Sequence, residues 1–236
     1  MNRAVLDIGN TRIKAAIFNE AGEIIEQSYF NSLDNAIEWL QNHQVSSLMS
    51  ASVAQAILPA VKGIDTYSLS YQSTLPFKNL YESKETLGVD RIAVMAAAAI
   101  EFQGKPVLVF DIGTCMTIDF LYPDATYKGG NISPGIDMRL KAMHTMTQRL
   151  PLSDRDEALS DFGTTTRSAI ATGVIKGMQY EIEGYINHYK SQYSELITVL
   201  CGGDYSHFEM PHKKEIFAAP GFVLKGLYHL LKLNEN

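Results

Sequence analysis

Cysteine is scarce in this chain. Cys115 and Cys201 are the two among 236 residues, and no C-x-x-C spacing occurs. That argues against a disulfide framework and against a zinc site. Long apolar runs are missing as well. The longest, AVMAAAAI at 93–100, is too short to span a bilayer. No charged segment followed by an apolar run opens the sequence, so no signal peptide is expected. A reducing, cytoplasmic home without membrane attachment is the expectation. Positive charge is not in excess either. Twenty Lys and Arg face 26 Asp and Glu, for a net charge of −6 and a pI near 5.5. Nucleic acid is therefore not an expected partner, because such binding rests on clustered cations neutralising phosphates. An anionic small ligand remains open if local groups hold it. Two common phosphate cradles are absent. There is no G-x-G-x-x-G, and Gly104-Lys105 runs into Pro106 instead of completing G-x-x-x-x-G-K-[ST].

What is present reads as an ordinary globular α/β chain, 46% hydrophobic and 19% charged. The length suits one large domain or two small lobes. Residues 3–7, 13–18 and 24–29 read as strands, separated by Gly9-Asn10 and Ala21-Gly22. A helix follows, capped by Ser32 or Asp34, with Ile37, Trp39 and Leu40 inward. A buried strand is expected at 46–53. Residues 62–87 read as a long loop with short pieces of structure. From Val89 the sequence DRIAVMAAAAIEF predicts a helix whose alanines let another element approach closely. The second half repeats the plan. Strands are expected at 106–111 and 117–122, with a third beginning at ATYKGGNI. A helix follows Pro134-Gly135, then a long loop over 151–163 and a helix over 165–191. A strand at 197–203 and a closing amphipathic helix complete it. The boundary between two similar α/β lobes is expected at 104/105, giving residues 1–104 and 105–236.

One arrangement occurs twice. VLDIGNTRIKAAIF at 5–18 and VFDIGTCMTIDF at 109–120 both place Asp-Ile-Gly directly after apolar residues and before another strand-like run. A strand, an Asp, a tight Gly turn and a returning strand make a hairpin tip. The Gly lets backbone approach a ligand closely. Successive N–H groups of such a turn can form an anion-binding concavity, supplemented by Asn10, Thr11, Thr114 and Thr117. The Asp cannot bind phosphate directly, but it can hold a cation that does. Two such tips would grip a polyphosphate from two sides. A single copy is often a plain β-turn; it is the pair, with the same flanking pattern, that points to phosphate.

Four segments together resemble type III pantothenate kinase, within the actin, hexokinase and Hsp70 ATPase superfamily. They are DIGNTRIK at 7–14, GVDR at 88–91, DIGTCMTID at 111–119 and GGNISPGIDMRLKAM at 129–143. Their order fits over nearly the whole chain. The resemblance implies two ribonuclease H-like lobes of the actin-like ATPase fold, with mixed sheets flanked by helices. It implies ATP-dependent phosphorylation of pantothenate at its primary hydroxyl, the first step toward coenzyme A, by a homodimer. It further implies that Asp7, Ile8, Gly9, Asn10, Thr11, Arg12, Ile13 and Lys14 form the first phosphate loop, with Thr114 also contacting ATP. Lys14 read alone fits a solvated strand-end lysine equally well. Asp111 would bind a monovalent cation, potassium or ammonium, and Asp7 would face magnesium through water. Tyr81, Gly88, Val89, Asp90, Arg91 and Thr166 would line the pantothenate site, with Asp90 accepting the proton of the hydroxyl. At a helix N-terminus that carboxylate is expected to be a weak base, and phosphoryl transfer needs positioning more than strong deprotonation. Taken alone, Asp90 and Arg91 also fit a helix cap and a surface charge. Around Tyr81 the chain reads Tyr-Glu-Ser-Lys where the family has a Tyr-Gly-Asn-Pro-like sequence. Gly202-Gly203 resembles the superfamily's adenosine-side turn, or a simple strand-to-helix turn. The histidines at 144, 188, 207, 212 and 229 show no metal spacing. Met138, Met143 and Met146 read as packing, and the helices after Pro134 and Thr165 could supply a dimer face. Two other readings compete: a small sugar kinase of the same superfamily, and a non-catalytic nucleotide-binding accessory factor for transcription.

Overall fold

The computed structural model describes residues 1–9, 12–52, 60–157, 159–208 and 216–235. β1 (Asn2–Ile8) and β2 (Ile13–Phe18) are buried along most of their length, as inner strands rich in Val, Ile and Ala should be. β3 (Ile24–Phe30) is largely exposed and lies at the sheet edge. α1 (Leu33–Gln41) then crosses to β4 (Val45–Ser52), which runs parallel to β1 on the side opposite β2. Ser32 is the residue that caps α1: its hydroxyl accepts from the Asn35 N–H at 3.3 Å. Ala36 and Leu40 are the fully buried positions of this helix, while Ile37 and Trp39 are only half-buried. β5 (Asp65–Ser68) extends the sheet to the order β3-β2-β1-β4-β5.

The later strands build the same plan again. β7 (Val107–Ile112), β8 (Cys115–Leu121) and β9 (Thr126–Pro134) are followed by α3 (Ile136–Thr145) and the long α4 (Thr166–Lys190). β10 (Ile197–Gly202) then pairs in parallel with β7. A short β11 (Ile216–Ala218), not expected from the sequence, pairs in parallel with β10. The order β9-β8-β7-β10-β11 matches that of the first sheet, so a mixed sheet flanked by helices occurs twice. β6 (Lys78–Asn79) adds to β9 through Thr126 and Tyr127.

The returning strand of the second hairpin begins two residues earlier than the sequence suggests. The Gly113 N–H bonds the Cys115 carbonyl at 2.9 Å, so Cys115 is already in β8 and the turn is two residues long.

Two units emerge. One comprises Met1–Gly104, Leu121–Gly129 and Gly221–Asn236; the other comprises Lys105–Phe120 and Gly130–Pro220. In the first, α2 (Val89–Glu101) is buried at every position from Arg91 to Ala99. It packs on the closing helix α5 (Phe222–Asn234). The expected close approach is there: a β-carbon on Gly226 would lie 1.9 Å from the Ala93 carbonyl oxygen.

Candidate active site

The first unit carries the first tip and the GVDR segment. Asp7 sits opposite Lys14 in the β1–β2 ladder, and Ile8 opposite Ile13. Ile8 and Ile13 are buried in the core and anchor the turn from below. Gly9 donates its N–H to the Arg12 carbonyl at 3.3 Å. The exposed Arg12 places its guanidinium 5.8 Å from the Tyr29 ring centroid. Asn10 and Thr11 lie outside the described residues. Lys14 turns its ammonium to within 3.6 Å of the Asp7 carboxylate. Asp7 is 8% exposed, and burial pushes its carboxyl above the usual range. Lys14 opposes that rise, and the negative charge of Asp90 adds to it. The charge of Asp90, in the first turn of α2, thus reaches the Asp7 carboxyl at the end of β1.

Gly88 and Val89 begin α2 as Asp90 and Arg91 enter its first turn. The Asp90 carboxylate accepts the Arg91 N–H at 2.9 Å. A β-carbon on Gly88 would lie 2.4 Å from Oδ1 of Asp90, so glycine is what lets this carboxylate fold back. Arg91 is buried, and its guanidinium lies 5.6 Å from the Tyr81 ring centroid. Tyr81 stacks in turn on Tyr127 at 6.3 Å. Gly129 clears the space for Tyr81, whose ring carbons would be 3.1–3.2 Å from an added β-carbon. Leu80 and Tyr127 are joined by a backbone bond of 2.8 Å. Despite its atypical sequence, the Tyr81 loop is held by strand pairing and ring stacking.

The second unit carries the second tip. Asp111 pairs with Cys201 on β10, as Asp7 pairs with Ala51 on β4. Gly113-Thr114 forms the turn itself. The start of α3 presses on it: the Gly135 N–H bonds the Thr114 carbonyl at 3.1 Å, and a β-carbon on Gly135 would lie 2.1 Å from the Gly113 carbonyl. On the other side β10 ends at Gly202, which has φ +93, a conformation open to glycine. A β-carbon there would lie 2.6 Å from Oδ1 of Asp111. It would lie closer still, 2.2 Å, to the Ile112 carbonyl oxygen, so glycine at 202 lets the end of β10 lie against the β7 backbone beside this carboxylate. Thr166 is exposed at the first turn of α4, where Thr165 forms a capping box with Ser168. Asp7 to Lys14, Tyr81 and Gly88 to Arg91 thus belong to one unit, and Asp111, Thr114 and Thr166 to the other. Two contacts were not readable from sequence: the stacking of Arg91 on Tyr81, and the flank that Gly202 gives Asp111. Among the described residues no group of three or more His, Cys, Asp or Glu is arranged to hold a metal alone.

A twice-built mixed sheet flanked by helices, with an Asp-Ile-Gly turn on each copy, is the architecture of the actin-like ATPase fold. A ROK family glucokinase from Streptomyces griseus, solved with glucose and AMPPNP, has this architecture, with a TM-score of 0.54 at 10% identity over 100% of this chain and 99% of its own. A Campylobacter jejuni protein described as a candidate Baf family transcriptional activator matches at a TM-score of 0.64 and 21% identity, over 99% of both chains. The family model for type III pantothenate kinase matches residues 4–188. The type III pantothenate kinase of Bacteroides fragilis strain YCH46 is 41% identical over 98% of this chain and 97% of its own. The chain belongs to the type III pantothenate kinase family. It is a phosphotransferase with an alcohol acceptor, uses ATP, and phosphorylates pantothenate in coenzyme A biosynthesis. No helix among the described residues is long and apolar enough to cross a membrane.

Proposed function

We propose that residues 1–104 supply the first phosphate loop and the substrate motif, and residues 105–236 the second phosphate loop. Asp90 orients the primary hydroxyl of pantothenate in line with the γ-phosphate of ATP. As the hydroxyl oxygen bonds to phosphorus, its proton passes to the Asp90 carboxylate and the bond to ADP breaks. The observation that carries this reading is the placement of Asp90. Gly88 lets it fold against its own helix start, where its charge reaches Asp7 on the first tip. A modest base suffices, because the transition state is loose and charge stabilisation dominates. Arg91 holds an anionic group of substrate, with Tyr81 and Thr166 as further pantothenate contacts. The turn from Asp7 to Lys14, together with Thr114, binds the ATP phosphates.

Asp7 would face magnesium through water, and Asp111 would hold potassium or ammonium. These ions supply positive charge against the transferring phosphoryl group. A homodimer is part of the reading. An apolar groove between α3 and α4, lined by Met138, Ala142, Met143, Met146, Ile170 and Val174, supports it, and Met146 is 84% exposed. The protein works in the cytoplasm without nucleic acid, in keeping with its net charge of −6.

The test is ADP release coupled to a reporter reaction, with pantothenate, with and without potassium. The wild-type chain turns over only with pantothenate and faster with potassium. Asp111→Ala loses the potassium response. A response that survives this change removes Asp111 from the cation site.

A further inference from the structure

The loop over 151–157 is pinned on both sides. The Ser153 hydroxyl donates to the Arg167 carbonyl at 2.9 Å, and Arg167 donates back to the Leu152 carbonyl at 2.6 Å. This holds Arg155 where three of its nitrogens are engaged. Nε and Nη2 meet the two carboxylate oxygens of Asp137 at 3.1 and 2.5 Å, and Nη1 meets Oδ1 of Asp204 at 2.6 Å. Such a fork gives geometry as well as charge.

What matters is where the two carboxylates sit. Asp137 is in the first turn of α3, two residues after Gly135, whose N–H bonds the Thr114 carbonyl. Asp204 follows Gly202-Gly203, and its own N–H bonds the Ile112 carbonyl at 3.0 Å. The two elements that flank the Asp111–Thr114 turn are therefore tied to each other by one side chain from a third segment.

We infer that Arg155 is a positioning residue for nucleotide binding: by bridging Asp137 and Asp204 it fixes the α3 start and the β10 exit against the Asp111–Thr114 turn. The inference rests on the reading that this turn contacts ATP. Arg155 itself touches no substrate in this role. Its loss lets the two flanks move independently, and the turn loses the geometry that holds phosphate. Of the pantothenate residues, Tyr81 and Gly88–Arg91 lie in the other unit and Thr166 alone lies in this one, so the effect falls chiefly on ATP.

The experiment is steady-state ADP release by the full-length protein, varying ATP at saturating pantothenate and then the reverse. Arg155→Gln raises KM for ATP about tenfold, the lower end of what loss of a supporting outer partner costs, and changes KM for pantothenate far less. Arg155→Lys rescues only part of this, since an ammonium cannot span both carboxylates with fixed geometry. A general structural role would move both KM values together, or would be fully rescued by lysine; either result overturns the inference. If Arg155→Gln does not fold, Asp204→Asn cuts one arm at constant size. It raises KM for ATP by a smaller factor, and an unchanged value is equally fatal. Thr114→Ala is the control. If it raises KM for ATP while Arg155→Gln does not, the role of Arg155 alone fails. If Thr114→Ala has no effect, the assignment of the turn fails and the inference with it.

Discussion

In the proposed mechanism Asp7 and Asp90 do different work, and substitution separates them. Asp90→Asn keeps the size and the bond to the Arg91 N–H but removes the proton acceptor. Turnover falls at least about a hundredfold, the usual contribution of a positioned base, while KM for ATP stays close to wild type. Unchanged kcat would take Asp90 out of the reaction. Asp7→Asn acts on stability as well. The folded state raises the Asp7 carboxyl above its unfolded value, chiefly through burial. Between those two values the native state binds more protons, so stability falls as pH rises through the window and the charge is a cost at pH 7. Removing that charge raises the pH 7 melting temperature by about 2 °C, the scale of one relieved site charge, although Lys14 loses its partner. Activity is lost at the same time. A melting temperature that falls instead would mean that the pair with Lys14 outweighs desolvation.

The α2–α5 contact shows how an element serves a site it does not touch. α2 is buried for nine successive residues and carries Asp90 and Arg91 at its start, so its position sets theirs. Gly226 lets α5 approach to backbone contact at Ala93. Gly226→Ala forces the helices apart and costs about 3 kcal/mol by overpacking. The sole tryptophan, Trp39, reports it. Its indole N–H bonds Glu26 at 3.0 Å, and its ring tilts against Phe30 at 5.6 Å. The urea midpoint by Trp39 fluorescence falls, and an unchanged midpoint would show that the contact adjusts freely. Much at this scale was legible in advance. The alanine run pointed to α2 and to the close approach of another element, though not to α5, and turn signals bounded β1, β2 and β3. β6 was hidden because two residues make a strand only through their partner at Thr126 and Tyr127. Arg155 read as one more loop residue, since its meaning comes from carboxylates 18 and 49 positions away.

At the scale of the molecule, the repeated Asp-Ile-Gly announced two copies of one plan, and the strand orders match. The chain does not, however, finish one unit before starting the next. Leu121–Gly129 and Gly221–Asn236 return to the first unit, a long-range return that no local pattern encodes. α5 completes that unit's core. Phe222, Leu224, Leu227, Leu230 and Leu231 are all at most 1% exposed. Tyr228 stacks on Phe18 at 4.5 Å, and Arg3 bonds the Glu235 carboxylate at 2.8 Å. Five such side chains contribute about 10 kcal/mol of burial, comparable to the whole stability of a typical domain. A chain truncated after Pro220 should therefore lose the cooperative Trp39 transition in urea, even though Trp39 lies about 180 residues away in sequence. ATP should no longer shift that transition, because the Gly9–Arg12 turn sits on the β1–β2 pair that α5 covers. A truncated chain that kept both the wild-type midpoint and the ATP shift would show that the first unit folds without its returning helix.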